Sequence, residues 1–161
     1  MNPSGFDALY ARQHERLVTA LVLAGSDQPT AEDVAHEAFV RVLLGWRRIR
    51  EPDGYLFRVA FRLHRRTSPR AAGRALSALS FVSGPRAGGP RTEDDVVRRD
   101  DVQQLLRQLS PRQRECAVLV HYLGCSTDEA ATRLGIAPAT VRVHLHAARA
   151  AVRQQAGQPA T

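Results

Sequence analysis

Residues Ser126 to Val152 read "STDEAATRLGIAPATVRVHLHAARAAV". Ser126 followed by Glu129 is a capping box, which satisfies two of the amide donors a helix start leaves open. Gly135 supplies a residue free to turn left-handed where a helix should stop. Pro138 suits the first position of the next helix, because its missing amide is not needed there. A short helix, a tight glycine turn and a longer basic helix form the helix-turn-helix pattern, whose second helix enters the DNA major groove by its N-terminal residues. Thr140, Arg142 and His144 are then expected to face base edges or flanking phosphates. An αα-hairpin that binds no DNA is the competing reading.

Upstream of this unit, Val102, Leu105, Leu106 and Leu109 repeat at helical spacing. Ser110-Pro111-Arg112-Gln113 is a further start signal, and Gly124 a further stop. The N-terminal half is also helical. Phe6, Leu9, Tyr10, Leu17, Val18 and Leu21 mark one amphipathic helix that ends near Gly25. Thr30 and Asp33 predict a capped second helix whose apolar stripe is Ala31, Val34, Ala35, Ala38, Phe39, Val42 and Leu43. Its opposite face carries Glu32, Asp33, His36, Glu37 and Arg41. A third helix starts after Pro52 and runs through Tyr55, Leu56, Val59, Ala60 and Leu63 to Arg65 and Arg66. Almost nothing reads as a strand. The expected fold is all-α, two small helical domains, residues 1–66 and 93–155, joined by a Gly-, Pro- and Ser-rich flexible linker over 67–92. Residues 156–161 read as a disordered tail.

Charge alternates along the chain. All 23 basic residues are arginine, and the net charge is +7. The segment to Asp53 sums to −2, Gly54 to Thr92 to +8, Glu93 to Ser110 to −2, and the remainder to +3. Two separate basic zones suit a polyanion held at two places, since phosphate neutralisation supplies most non-specific nucleic-acid affinity. The N-terminus lacks a basic and an apolar signal region, and no apolar run is long enough to insert in a membrane, so a cytoplasmic location is expected. Cys116 and Cys125 lack the number and spacing of a disulfide framework or zinc site and read as buried free thiols.

Enzyme signatures are incomplete. His36-Glu37 begins like the zinc motif H-E-x-x-H, but Val40 stands where the second histidine is required. His144 and His146, two apart on a helix, point to different sides. No serine has a plausible triad arrangement, and no cofactor or metal motif is present.

The stretch "SPRQRECAVLVHYLGCSTDEAATRLGIAPATVRVHLHAARAAVR" resembles the fourth region of bacterial RNA polymerase sigma factors, although "TVRVHL" alone equally suits LuxR-type regulators. The N-terminal "FDALYARQHERLVTALVLAGSDQPTAEDVAHEAFVRVLLGW" resembles sigma region two, which LuxR-type proteins lack. Two such blocks in this order, with a loose segment between, resemble an extracytoplasmic-function sigma factor. The runner-up reading is a stand-alone LuxR-like helix-turn-helix regulator.

The resemblance implies a division of labour. Asp33, His36, Glu37 and Arg41 would bind core RNA polymerase at its β′ clamp helices. Trp46, Arg47, Arg48, Tyr55, Arg58, Arg62, Arg65 and Arg66 would recognise and melt the −10 element, where aromatic faces beside arginines replace base stacking. In the family the loop after Trp46, roughly Arg47 to Gly54, also receives a flipped base. Plain core packing is the alternative role for Trp46. Ser126, Thr127, Pro138, Ala139, Thr140, Arg142, His144 and Arg149 would serve the −35 element, with the β flap a second polymerase contact. Promoter DNA is the other partner, an anti-sigma factor is common in the family, and the location implied is cytoplasmic and nucleoid-associated. The sequence departs from the family at His36, usually Gln, near Arg62, usually Asn, at Val143, usually Ser, and at Ala147, usually Arg. The last two departures remove phosphate contacts from the recognition helix and imply weaker −35 binding.

Overall fold

A computed structural model describes residues 3–78 and 101–157. The rest of the expected linker, from residue 79, and the tail from residue 158 lie outside the described residues. The elements are α1 (Pro3–Leu23), α2 (Gln28–Gly45), α3 (Pro52–Ala78), α4 (residues 101–107), α5 (Pro111–Ala117), α6 (Thr127–Leu134) and α7 (Pro138–Ala156). Between α5 and α6 the chain continues in a π-helical turn over Val118–Tyr122, marked by a bond from the Leu123 amide to the Val118 carbonyl. No strand occurs among the described residues.

Local chemistry explains most boundaries. Ser110 and Gln113 exchange hydrogen bonds at 3.3 and 3.1 Å, and Ser126 and Glu129 at 3.1 and 2.7 Å, so both capping boxes form. Gly135 turns left-handed at φ +68°, a conformation an L side chain rarely adopts. The start of α2 differs from expectation. Asp27, not Thr30, is the cap: its carboxylate accepts from the Thr30 amide at 2.8 Å. Asp caps better than Thr, and Pro29 fits the first turn that this earlier start creates. The third helix also overruns its expected end, continuing to Ala78 through residues read as linker. The extension is rich in Ala and Arg, good helix formers that offset Pro69 and Gly73.

The N-terminal domain is three helices packed on one another, whose core is Leu9, Leu17, Leu21, Ala31, Ala35, Phe39, Val42, Leu56 and Ala60. The α2 stripe is buried as expected except Leu43, which is exposed. Phe57 and Phe61 are also buried, so α3 hides more than one stripe. The reason is the C-terminal domain, which docks there: α6 packs on α3 and the π-turn on α1. Arg133 lies over the Phe57 ring at 5.1 Å, and Arg16 donates to the Leu123 carbonyl at 2.8 Å. One continuous core therefore runs through both domains. The described residues contain no helix long and apolar enough to cross a membrane.

Candidate nucleic-acid and partner interfaces

Three exposed surfaces carry the residues singled out in the sequence. The first is the outer face of α2. Burial of Val34, Ala35, Ala38, Phe39 and Val42 forces Asp33, His36, Glu37 and Arg41 outward, and all four are exposed. Glu37 and Arg41 pair at 2.7 Å across one helical turn. The same face continues into Val40, Leu43 and Leu44, with Leu44 83% exposed. Leu43, expected within the buried stripe, is exposed instead, and Val40 and Leu44 extend the face beyond the expected residues. An acidic face with an apolar end is suited to a basic protein surface rather than to phosphates.

The second surface joins the α2–α3 loop to the outer face of α3. Arg47 and Arg48 are exposed beside a recess of about 450 Å³ lined by Leu43 to Arg48. Tyr55, Arg58, Arg62 and Arg66, spaced by three or four residues, are all exposed on one helix face. This is a row of cations with an aromatic ring at one end. Asp53 anchors the start of α3, accepting from Arg12 at 2.9 Å and from Gln13 at 2.6 Å. Burial pushes the Asp53 carboxyl upward, but these hydrogen bonds prevail and hold it below its ordinary range.

Two residues expected on this surface are placed differently. Arg65 is half-buried, its Nε donates to the Phe61 carbonyl, and its charge lies among Arg112 and Glu115 at the domain interface. Its position one residue off the 55–58–62–66 row accounts for this. Trp46 is half-buried, its ring edge-on to Phe6 at 5.7 Å, within a cluster that includes Phe39, Tyr10 and His14. A Cβ on Gly5 would approach the indole to 3.1 Å, so the ring is seated against α1. Trp46 thus packs on the end of the core while part of it stays open.

The third surface is α6 and α7. Val141, Leu145 and Ala148 are buried and set the rotation of α7. Ala139, Thr140, Arg142, Val143, His146 and Arg149 are exposed. His144, Pro138 and Thr127 are only half-exposed, on the flank rather than the open face. His146 lies outside the expected −35 set, although the 141–145–148 spacing carries the signal that it and Val143 lie opposite the core. Ser126 is exposed, with its hydroxyl and amide both engaged by Glu129.

Among the described residues no His, Cys, Asp and Glu cluster could hold a metal. Cys116 and Cys125 are free and buried, as expected. Burial pushes the Cys116 thiol up to about 11.

Known proteins resemble this chain at the level of sequence and of fold. Residues 99–152 match the family model described as sigma-70, region 4. An RNA polymerase sigma-E factor of Streptomyces avermitilis is 33% identical over 132 residues, 80% of this chain and 72% of that one. The sigma-E factor of Streptomyces coelicolor is 30% identical, with 80% and 73% covered. Among solved structures, CnrH in complex with the cytosolic domain of CnrY superposes with a TM-score of 0.67 at 23% identity, covering 98% of this chain and 92% of that one. The sigma factor RpoE of Bartonella quintana, solved with the anti-sigma factor NepR, gives 0.71 at 18% identity, covering 93% and 95%.

Proposed function

The chain belongs to the RNA polymerase sigma factor family, which directs promoter-specific transcription, and from that premise we propose which of its surfaces performs each step. The outer face of α2, Asp33, His36, Glu37 and Arg41, extended by Val40 and Leu44, binds core polymerase at the β′ clamp helices. The row Tyr55, Arg58, Arg62 and Arg66, with Arg47, Arg48 and the open part of Trp46, receives the −10 element and holds unpaired bases by stacking and charge. The α7 face carrying Ala139, Thr140, Arg142, Val143, His146 and Arg149 reads the −35 element in the major groove. Residues 1–66 and 93–155 are the corresponding domains, and the C-terminal one also meets the β flap.

The observation that carries this reading is the coexistence on one chain of an outward acidic-apolar helix face and two outward cationic faces. Opposite charges separate a protein contact from nucleic-acid contacts. The chain supplies binding and positioning and no catalytic step of its own. Its work on chromosomal promoters places it in the cytoplasm at the nucleoid. By analogy with RpoE, solved with the anti-sigma factor NepR, an anti-sigma protein is a further partner.

The test reconstitutes the full chain with core polymerase, selects promoters from a random library, and follows run-off transcription and permanganate reactivity of −10 thymines. Core association with both outcomes is expected. Tight duplex binding by the free chain, without core association, would make it a stand-alone regulator.

A further inference from the structure

The open face of α7 has an apolar centre. Val143 is 66% exposed, although its neighbours Val141 and Leu145 are almost wholly buried. At 3.6 residues per turn, the buried set Val141, Leu145 and Ala148 places Ala139, Val143 and His146 on the opposite side, with Arg142 and Arg149 together along one edge. The centre of the face therefore lacks a hydrogen-bonding group at both residues 139 and 143. A bidentate readout of guanine or adenine requires Arg, Lys, Asn or Gln at such a position. A branched aliphatic side chain can instead discriminate only by contact with an apolar group.

The major groove offers one such group, the C5-methyl of thymine. The rim of the face selects DNA over an apolar protein partner. The helix carries Arg142, Arg149 and Arg153, with His144 and His146, and has no acidic residue over its length. A cationic edge beside a small apolar centre suits a phosphate backbone bordering a methyl-lined groove. Resting on the assignment of α7 to the −35 element, we propose that Val143, with Ala139 beside it, reads the methyl group of a −35 thymine.

The experiment uses holoenzyme formed from the full chain and core polymerase. The −35 element is first obtained by selection, then each thymine in it is replaced by deoxyuridine, which removes the methyl and keeps every hydrogen-bonding group. With the wild-type chain, one replacement is expected to weaken promoter binding about three- to fivefold, the effect of leaving one buried carbon unmade. With Val143→Ala the same replacement should change binding by less than a factor of two, because the contact is already gone. The substitution is at an exposed helical site where alanine is the better helix former, and circular dichroism checks that the fold is kept.

An equal deoxyuridine effect in both proteins would overturn the proposal, as would a selected element without thymine or one insensitive to the replacement. A Val143→Ala chain with unchanged promoter binding but lost capture of an anti-sigma protein would overturn it in favour of a protein contact. The underlying assignment fails separately. In that case selection enriches no −35 element, and Arg142→Ala leaves promoter binding unaltered.

Discussion

Ser26 Oγ and His64 Nδ1 lie 2.8 Å apart, both buried, joining the α1–α2 turn to α3 at the edge of the domain interface. On the other side of the ring, Glu115 of α5 approaches His64 Nε2 to 3.9 Å, too far for a hydrogen bond, while Arg112 holds the Glu115 carboxyl at 3.1 Å. Burial, with the charges of Arg65 and Arg114, lowers the His64 pKa from 6.5 to about 4, although a hydrogen bond with Ala24 opposes it. The imidazole is neutral where a free histidine would already be protonating. The unfolded chain thus takes up a proton between pH 6.5 and 4 that the folded chain refuses, and stability falls as pH falls through that window. The full effect is roughly 3 kcal/mol, from 1.36 kcal/mol per pKa unit. Glu115 acts in the opposite sense, since burial raises its pKa above 4.5 and the folded form keeps its proton longer.

Denaturant titrations at pH 7, 6 and 5 should therefore show stability decreasing with acid. His64→Gln keeps a hydrogen-bonding side chain and cannot titrate, so its acid slope should be smaller. An identical slope in the variant would place the sensitive group elsewhere.

The thiol of Cys116 reports on the same region. It is fully buried, next to Glu115, and its pKa is pushed up to about 11 by burial, so little thiolate exists at pH 8. Labelling with a maleimide under native conditions should be slow compared with the denatured chain. Arg16→Ala, which removes the 2.8 Å bond to the Leu123 carbonyl between domains, should accelerate it. Mass spectrometry of labelled peptides distinguishes Cys116 from Cys125, and no acceleration would mean that this bond does not hold the docking closed.

Arg142 flanks the outward face of α7 and is exposed. Arg142→Ala in the holoenzyme should weaken promoter binding by about 1–3 kcal/mol if the guanidinium forks onto a guanine, with relaxed preference at that base pair. Loss of a phosphate contact would instead weaken every sequence alike and flatten the salt dependence. Filter binding on the selected promoter and on scrambled DNA at two salt concentrations separates the two.

The helix-turn-helix was legible in the sequence because its signals are local. Ser126 with Glu129, Gly135 and Pro138 each act within a few residues, and the structure realises all of them. The −35 face was less well read. Thr140 and Arg142 are exposed as expected, but His146 faces outward where His144 is expected, a phase that the buried 141–145–148 stripe sets. What periodicity could not reveal is the docking of the domains. Phe57, Phe61, Arg65 and Glu115 owe their burial to partners far away in the chain, and a linker rich in Gly and Pro carries no information about whether the domains it joins will meet. The contact explains why α3 buries more than one face and why Arg65 leaves the cationic row.

The last prediction concerns the acidic face of α2. Glu37 is exposed, makes one ion pair with Arg41, and lies four residues from Asp33 on a helix whose other side is fully packed. Reversing it removes a surface i,i+4 pair worth about 0.3–0.5 kcal/mol and adds a like charge beside Arg41. Helicity and thermal stability should change little. A basic partner surface would feel the change strongly, because like charges brought together at an interface cost several kcal/mol and slow association. Core binding and run-off transcription are expected to fall together in Glu37→Arg. Glu15→Arg on α1 makes the same charge change at another exposed acid and should leave both near the wild-type level. Leu44→Ala tests the apolar end of the face. It removes an 83%-exposed side chain that contributes almost nothing to the core, so the fold should be unaffected while the complex dissociates faster. Core affinity measured alongside circular dichroism decides the matter: folded Glu37→Arg and Leu44→Ala chains that bind core as tightly as wild type would show that polymerase is held through some other face.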